Sequence, residues 1–200
     1  SKYTNIHIVA CGSAMHAGLV GKYLFETYAS IPVSVDVASE YRYKNQLITP
    51  TTLVILVSQS GETADTLAAL RIAKEKGADT LAIVNAVGST IAREAAVCIY
   101  TYAGPEIAVA TTKGYTSQVA IFATLALDLA KEKGLISKEL EENIYSDFNN
   151  IESLMEQTIE RIDEYKSIAE KIYKKDNLFF IGRGIDSAVS MEGSLKLKEI

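Results

Sequence analysis

Cysteine and long apolar runs are scarce in this chain. Only two of its 200 residues are cysteines, Cys11 and Cys98. They are too few for a disulfide framework and too far apart for a CxxC motif. No apolar run approaches the roughly 20 residues of a membrane helix, and the N-terminus has no apolar signal-peptide core. We therefore expect a reduced, cytoplasmic protein without a membrane anchor.

Positive charge is also limited. The chain has 25 Asp and Glu residues against 20 Lys and Arg, a net charge of -5. It contains no dense basic run and no patch of interleaved basic and aromatic residues, which argues against nucleic acid as a partner. Its hydrophobic fraction of 48% is sufficient for a well-buried core. These properties indicate a folded protein whose ligand is small.

One stretch of strand, polar loop and helix is the most informative part of the chain. Leu53–Val57 is a run of branched apolar residues, typical of a strand covered on both faces. Ala64–Lys76 has the spacing of an amphipathic helix, which Gly77 ends. The six residues between them, from Ser58 to Thr63, have no aliphatic side chain. The strand is therefore followed by a polar loop that leads into the start of a helix.

This loop has the chemistry of a phosphate site. A helix start offers backbone N–H groups without intrahelical partners and the positive end of the helix dipole. Ser58, Ser60 and Thr63 add hydroxyl groups, and Gly61 would let the backbone approach a ligand closely. The alternative is that Ser60 or Thr63 only caps the helix and that the other residues of the loop form a turn. For the six residues together we favour phosphate binding.

Strands and helices alternate along the first part of the chain. Strands are predicted at residues 6–10, 32–38, 53–57, 80–85 and 97–102. Alternation of this kind predicts an α/β, three-layer, doubly wound fold around a five-stranded parallel sheet. A buried helix is then predicted over Tyr115–Lys133, followed by charged helical sequence over Ser137–Lys175.

A second loop of small residues follows the first predicted strand. Cys11, Gly12 and Ser13 lie at the carboxyl end of that strand, where open parallel sheets bind ligands. We expect Cys11 to be a small buried thiol, because no base is identifiable beside it. His16, one turn into the next helix, is expected to be partly exposed and receives no role. Glu106, in a later turn, is expected to be solvated.

The end of the chain repeats the order of its beginning. A predicted strand over Asn177–Ile181 is followed by Gly182, Gly184 and a helix from about Ser187. This order predicts an internal duplication whose second copy is truncated, with its strand outside the first sheet. The predicted domains are residues 1–135, a helical linker over 136–176 and the start of a second domain over 177–200. A dinucleotide site is disfavoured because the third glycine of GxGxxG is missing.

Four blocks of sequence resemble the sugar isomerase (SIS) half of the glutamine:fructose-6-phosphate amidotransferase family, the glucosamine-6-phosphate synthases. The blocks are Ala10–Ser13, Ser58–Thr66, Gly104–Lys113 and Glu192–Ile200. The resemblance covers essentially the whole chain and implies two SIS domains, of which this chain holds the first and the beginning of the second. Ala14 stands where the family usually has a serine, so one hydroxyl group of the loop is lost.

The resemblance also implies a set of site residues. The implied substrate-binding residues are Cys11, Gly12, Ser13, Ser58, Gln59, Ser60, Thr63 and Thr111. Ser13 and the loop from Ser58 would hold the sugar phosphate, and the others would line the sugar. Glu199 and Lys196 match the family's catalytic glutamate and lysine. No metal and no other cofactor is implied.

The resemblance finally implies a reaction. Fructose 6-phosphate would become glucosamine 6-phosphate, with ammonia supplied by a glutaminase domain that this chain does not contain. A homodimer is expected, and neither nucleic acid nor a membrane is an expected partner. The rival hypothesis is a phosphosugar-binding SIS sensor without catalysis, which would need the phosphate loop but no acid/base pair. Such regulators usually carry a basic helix-turn-helix ahead of the SIS domain, and this chain has none.

Overall fold

The computed structural model describes residues 2–200, which form five strands and eight helices. In chain order the elements are β1 Asn5–Ala10, α1 Gly12–Tyr28, β2 Val33–Val37, α2 Ala38–Tyr41, β3 Thr52–Ser58, α3 Ala64–Glu75, β4 Asp79–Val84, α4 Thr90–Glu94, β5 Val97–Tyr100, α5 Lys113–Glu132, α6 Lys138–Glu160, α7 Ile162–Ile172 and α8 Ile185–Glu199. They belong to two compact units, one that ends at Leu135 and takes in Ile181–Ile200, and another over Ile136–Phe180.

The first unit is built on a parallel sheet with the strand order β2-β1-β3-β4-β5. The chain first winds from β1 to β2 and then crosses back past β1 to β3, so the winding direction reverses between β1 and β3. In open α/β sheets a ligand binds outside the carboxyl ends of the strands at such a reversal. The predicted five-stranded, doubly wound parallel fold is therefore confirmed.

Apolar side chains cover both faces of this sheet. On one face, inward-pointing residues such as Val9, Val54 and Leu56 join a core cluster with residues of α2, α3 and α4. On the other face lie α1 and α5. A side chain added at Gly18 of α1 would overlap Ile8 of β1, so this glycine lets the helix lie close to the strand. The result is three layers with a polar rim at the carboxyl ends of the strands.

The predicted strand over Asn177–Ile181 is wrong. Residues 177–184 have no regular structure, and Phe179 and Ile181 are among the most exposed apolar residues of the described chain. A strand is stable only when it pairs with a neighbour, and the sheet contains β1 to β5 alone. The helix that follows is present as α8. Whether residues 177–200 begin a second domain stays a prediction.

The second unit consists of α6, α7 and their flanking residues. Ser137 caps α6 by accepting a hydrogen bond from the N–H of Leu140 at 3.1 Å. Neither helix has a buried residue, and their polar surface carries short-range ion pairs such as Arg161–Glu164. The helical character predicted for this segment is confirmed. Nowhere in residues 2–200 does a helix have both the length and the apolar character to cross a membrane.

Candidate functional site

Two loops meet where the winding direction of the sheet reverses. The loop after β1 starts at Cys11, and the loop after β3 follows Ser58, the last residue of that strand. Together with the start of α5 and the end of α8 they enclose a cavity of about 310 Å³. Its lining residues are Cys11, Ser13, Ala14, Val57, Ser58, Gln59, Ser60, Thr63, Thr111, Gly114, Tyr115, Gln118 and Glu199. The structure thus brings most of the sequence-predicted site residues to one place.

Two sequence-predicted residues do not line this cavity. Gly12 is the first residue of α1 and has a positive φ of 56°, so it turns the chain from β1 into the helix. Lys196 lies on α8 and contacts the cavity-lining Glu199 instead. Cys11 lines the cavity and is only partly buried, whereas the sequence suggested a buried thiol.

The loop after β3 is held by its own hydroxyl groups. The hydroxyl oxygen of Ser58 accepts a hydrogen bond from the N–H of Gly61 at 3.0 Å and lies 3.0 Å from the hydroxyl oxygen of Thr63. Thr63 occupies the N-cap position of α3, but its side chain accepts no capping hydrogen bond. Ser60 accepts from the N–H of Glu62 at 3.2 Å. Neither hydroxyl therefore caps α3, whereas the hydrogen bonds from the N–H groups of Gly61 and Glu62 are turn contacts of the kind that the alternative also predicted.

The same loop is tied to the loop after β4. The Glu62 carboxylate accepts a hydrogen bond from the N–H of Thr90, the first residue of α4, at 2.7 Å. This backbone bond holds the pKa of Glu62 below its ordinary value. The carbonyl oxygen of Gln59 accepts from the N–H groups of Asn85 and Ala86, each at 3.3 Å. The polar loop is thus fixed before any ligand arrives.

Gly61 has a structural role that the sequence did not suggest. Its φ is +65°, and a Cβ atom there would stand 2.0 Å from the hydroxyl oxygen of Ser89. Glycine is therefore required by the close approach to the loop after β4. A close approach of Gly61 to a ligand stays a prediction.

The start of α5 contributes a third group of polar atoms. The hydroxyl of Thr111 donates a hydrogen bond to the Glu106 carboxylate at 2.9 Å, and the N–H of Gly114 donates to the same oxygen at 3.1 Å. The Thr111 bond is the main reason that the pKa of Glu106 lies below its ordinary value. Glu106 is partly exposed, but it is not only solvated, since it orients Thr111 at the edge of the cavity.

Three buried oxygen atoms on cavity-lining side chains have no hydrogen-bond partner among the described residues. They are Oε1 of Gln59, Oε1 of Gln118 and the hydroxyl of Tyr115. Buried polar atoms are nearly always paired in folded proteins, so polar groups of a bound ligand or bound water are needed here. The sequence analysis missed Tyr115 and Gln118. Their signal was the i, i+3 spacing on a helix that starts directly after Thr111.

Four charged or titratable side chains run from α1 to the cavity. His16 of α1 donates from Nδ1 to Oε2 of Glu192 at 2.7 Å. Lys196 Nζ lies 3.4 Å from Oε1 of Glu192 and 2.5 Å from Oε2 of Glu199. His16 is only 7% exposed, so the expectation that it is partly exposed is wrong. Burial and the nearby negative charge of Glu192 raise the pKa of the Tyr115 hydroxyl.

Metal-ligating side chains do not gather in this site. Across residues 2–200, no group of three or more His, Cys, Asp or Glu residues has the arrangement to hold a metal ion.

The sequence and the structure were compared with known proteins. The family model described as the SIS domain matches residues 1–128. Glutamine--fructose-6-phosphate aminotransferase [isomerizing] of Clostridium tetani is 55% identical over 199 residues, which are 100% of this chain and 33% of that protein. The enzyme with the same name from Thermus thermophilus is 44% identical over 195 residues, 98% of this chain and 32% of that protein. The chain therefore spans about a third of the length of these relatives.

Solved structures agree with this result. The C-terminal domain of glucosamine-fructose-6-phosphate aminotransferase from Francisella tularensis has a TM-score of 0.96 at 38% identity, covering 100% of this chain and 56% of that one. A putative phosphosugar isomerase from Silicibacter pomeroyi has a TM-score of 0.82 at 29% identity, covering 98% of this chain and 57% of that one.

Proposed function

This chain belongs to the SIS domain family, and from that premise we propose that it is the isomerase part of a glutamine:fructose-6-phosphate aminotransferase. Its ligand is fructose 6-phosphate, and the product of the full-length protein is glucosamine 6-phosphate. The observation that carries the proposal is the presence of the hydroxyl-rich loop and of the Glu199 carboxylate in one cavity. A phosphate site alone would serve a sensor equally well, whereas the carboxylate supplies an acid/base group.

The phosphate of the ligand belongs at the loop after β3. Ser60 already accepts a hydrogen bond from the N–H of Glu62, so its own hydroxyl proton is free to be donated to a phosphate oxygen. Ser58 and Thr63 lie beside it at the start of α3, where the helix dipole favours an anion. Ser13 lies across the cavity on α1. Hydrogen bonds to a charged phosphate contribute about 1.5–3 kcal/mol each.

The sugar occupies the remainder of the cavity. Cys11 and Thr111 line it, and Gly12 sets the course of the backbone beside it. The unpaired buried atoms of Gln59, Gln118 and Tyr115 are potential partners for its hydroxyl groups. A sugar whose hydroxyl groups pair with these atoms would be bound selectively, because a ligand without those hydroxyl groups would leave the buried polar atoms unpaired.

Glu199 is the base of the isomerisation. After ammonia has replaced the C2 oxygen, the carboxylate takes a proton from C1 and returns it to C2. The proton of the C1 hydroxyl group is transferred to the imine nitrogen, so that the imine at C2 becomes an amine and the C1 hydroxyl group becomes an aldehyde. A carboxylate within hydrogen-bond reach of both carbons can carry out both transfers. Lys196, at 2.5 Å, holds that carboxylate in place from the same face of α8. Ammonia would come from a glutaminase domain of the full-length protein, and a homodimer in the cytoplasm stays a prediction.

Two measurements test the proposal. Calorimetric titration of the chain should show binding of fructose 6-phosphate and much weaker binding of fructose, because only the former has the phosphate. The full-length protein should form glucosamine 6-phosphate from fructose 6-phosphate and glutamine. Phosphosugar binding without product formation would favour the sensor hypothesis. Equal affinity for fructose and fructose 6-phosphate would contradict the phosphate site itself.

A further inference from the structure

A buried hydrogen bond between two side chains joins α1 to α8 behind the cavity. His16 and Glu192 are 7% and 5% exposed, and Nδ1 of His16 lies 2.7 Å from Oε2 of Glu192. They are 176 positions apart in the chain. A buried carboxylate is costly unless it is paired and hydrogen-bonded. His16 is therefore one of the groups that make it possible to bury Glu192.

Lys196 lies between two carboxylates of its own helix. Its ammonium nitrogen is 2.5 Å from Oε2 of Glu199 and 3.4 Å from Oε1 of Glu192. The Oε1 atom of Glu192 is buried and makes no hydrogen bond of good geometry with the described residues. The two carboxylates thus compete for one ammonium, and Lys196 stays closer to Glu199, the residue that lines the cavity.

We propose that His16 is a positioning residue for the reaction at Glu199. By donating to Glu192, it satisfies one oxygen of the buried carboxylate, so that Lys196 is not drawn away from Glu199. The inference rests on the proposed function, in which Glu199 moves the proton between C1 and C2. His16 does not touch the cavity, and its effect on the reaction passes through Glu192 and Lys196.

The consequence of losing His16 follows from burial. Without the imidazole, the contact that remains for the Glu192 carboxylate among the described residues is the one to the ammonium of Lys196, four residues further along the helix. A buried carboxylate that loses a partner is strongly unfavourable, so it will move toward a positively charged group within reach. Tyr115 of α5 is also affected by the charge of Glu192, but its neutral hydroxyl is a weaker partner than an ammonium. Glu199 would then lose the contact that orients it.

The experiment is a double-mutant cycle in the full-length protein, with formation of glucosamine 6-phosphate as the readout. His16→Leu should lower kcat by roughly tenfold or more. The KM for fructose 6-phosphate should stay within about threefold, since the phosphate loop is untouched. His16→Asn is the matched control, because its amide nitrogen is as many bonds from Cα as Nδ1 of histidine and donates to the same place. It should retain most of kcat.

Glu192→Gln removes the competing negative charge, so it tests whether the effect of His16 passes through Glu192. Alone it should lower kcat only mildly. Added to His16→Leu it should restore most of the lost kcat, because no buried carboxylate remains to attract Lys196. A double variant as slow as His16→Leu would overturn the proposal, and so would a normal kcat in His16→Leu. If His16→Leu does not fold, the proposal can still be tested by comparing Glu192→Gln with the double variant. A difference in kcat above about tenfold between these two proteins would contradict the proposal.

Failure of the proposed function is recognised separately. A wild-type protein without product formation, or a Glu199→Gln variant with normal turnover, would overturn both proposals. An active wild type that depends on Glu199 but not on His16 would overturn this inference alone.

Discussion

Gly61 and Ser89 lie so close together that a Cβ atom on Gly61 would stand 2.0 Å from the hydroxyl oxygen and 2.5 Å from the Cβ atom of Ser89. The contact joins the polar loop after β3 to the loop that leads into α4. Two hydrogen bonds lie beside it, from the N–H of Ile91 to the carbonyl of Gly61 and from the N–H of Thr90 to Glu62. The shape of the candidate phosphate site therefore depends on a contact made outside the cavity.

Replacing Gly61 by alanine should destabilise the fold more than the same change at Gly77. Both glycines have positive φ values, but a Cβ on Gly77 would meet nothing within 4 Å. Gly77→Ala should lower the free energy of unfolding by about 1–2 kcal/mol, because alanine is strained in the left-handed conformation. Gly61→Ala should lower it by about 1–3 kcal/mol more, because of the steric overlap with Ser89. Urea unfolding measures the difference. Adding Ser89→Gly to Gly61→Ala should restore part of the lost stability. Equal losses of stability in Gly61→Ala and Gly77→Ala would show that the structure relieves the overlap by a small shift at no cost in stability.

Ser60→Ala should weaken the binding of fructose 6-phosphate. The variant loses the hydroxyl that we assign to the phosphate, so its affinity should fall by about 1.5–3 kcal/mol. Calorimetric titration measures this, with fructose as the ligand whose weak binding should not change. Ser117→Ala is the matched control, because that hydroxyl donates to the carbonyl of Gly114 on α5 and does not line the cavity. Unchanged phosphosugar affinity in Ser60→Ala would place the phosphate elsewhere.

Glu199→Gln should stop the isomerisation without stopping substrate binding. In the full-length protein we expect normal affinity for fructose 6-phosphate, with exchange of the C1 proton and product formation reduced by roughly 100-fold or more, as for the loss of a general base. Proton exchange is followed by NMR in deuterated water. Asp186→Asn, which changes another carboxylate of α8 away from the cavity, should have no such effect. Near-normal turnover in Glu199→Gln would mean that the carboxylate is structural.

The stability of the fold should depend on pH through His7. This residue is buried on β1 beside the Tyr41 hydroxyl, which lies 3.1 Å from its Nδ1 atom. Burial lowers the pKa of His7 below its ordinary value of 6.5. Stability from a lowered pKa is fully present above the unfolded pKa and is lost as the pH falls through the folded pKa. The free energy of unfolding should therefore decrease as the pH is lowered below 6.5.

His7→Gln provides the control for this pH dependence. Glutamine does not titrate, so the loss of stability below neutral pH should be smaller in the variant than in the wild type. Urea unfolding at a series of pH values measures both curves. Parallel curves for the two proteins would assign the pH dependence to other groups.

Much of the first unit was predictable from local sequence. The apolar runs, the polar loops and the helical spacing have short periods, so they predict element type without knowledge of distant contacts. This is why the strand before Ser58 and the helix after Thr63 are where they were expected. Segment 177–181 shows the limit of such patterns, since an apolar run becomes a strand only when another strand pairs with it.

Short-range patterns thus predicted the alternation of strands and helices, and the family resemblance supplied the site residues. The three-dimensional fold sets which loops meet, because the strand order brings the ends of β1 and β3 together. It also decided that His16 pairs with Glu192, that Gly61 faces Ser89, and that Glu106 holds Thr111. Each of these contacts joins different elements or loops. Its energy depends on burial and on distances that no local pattern of residues contains.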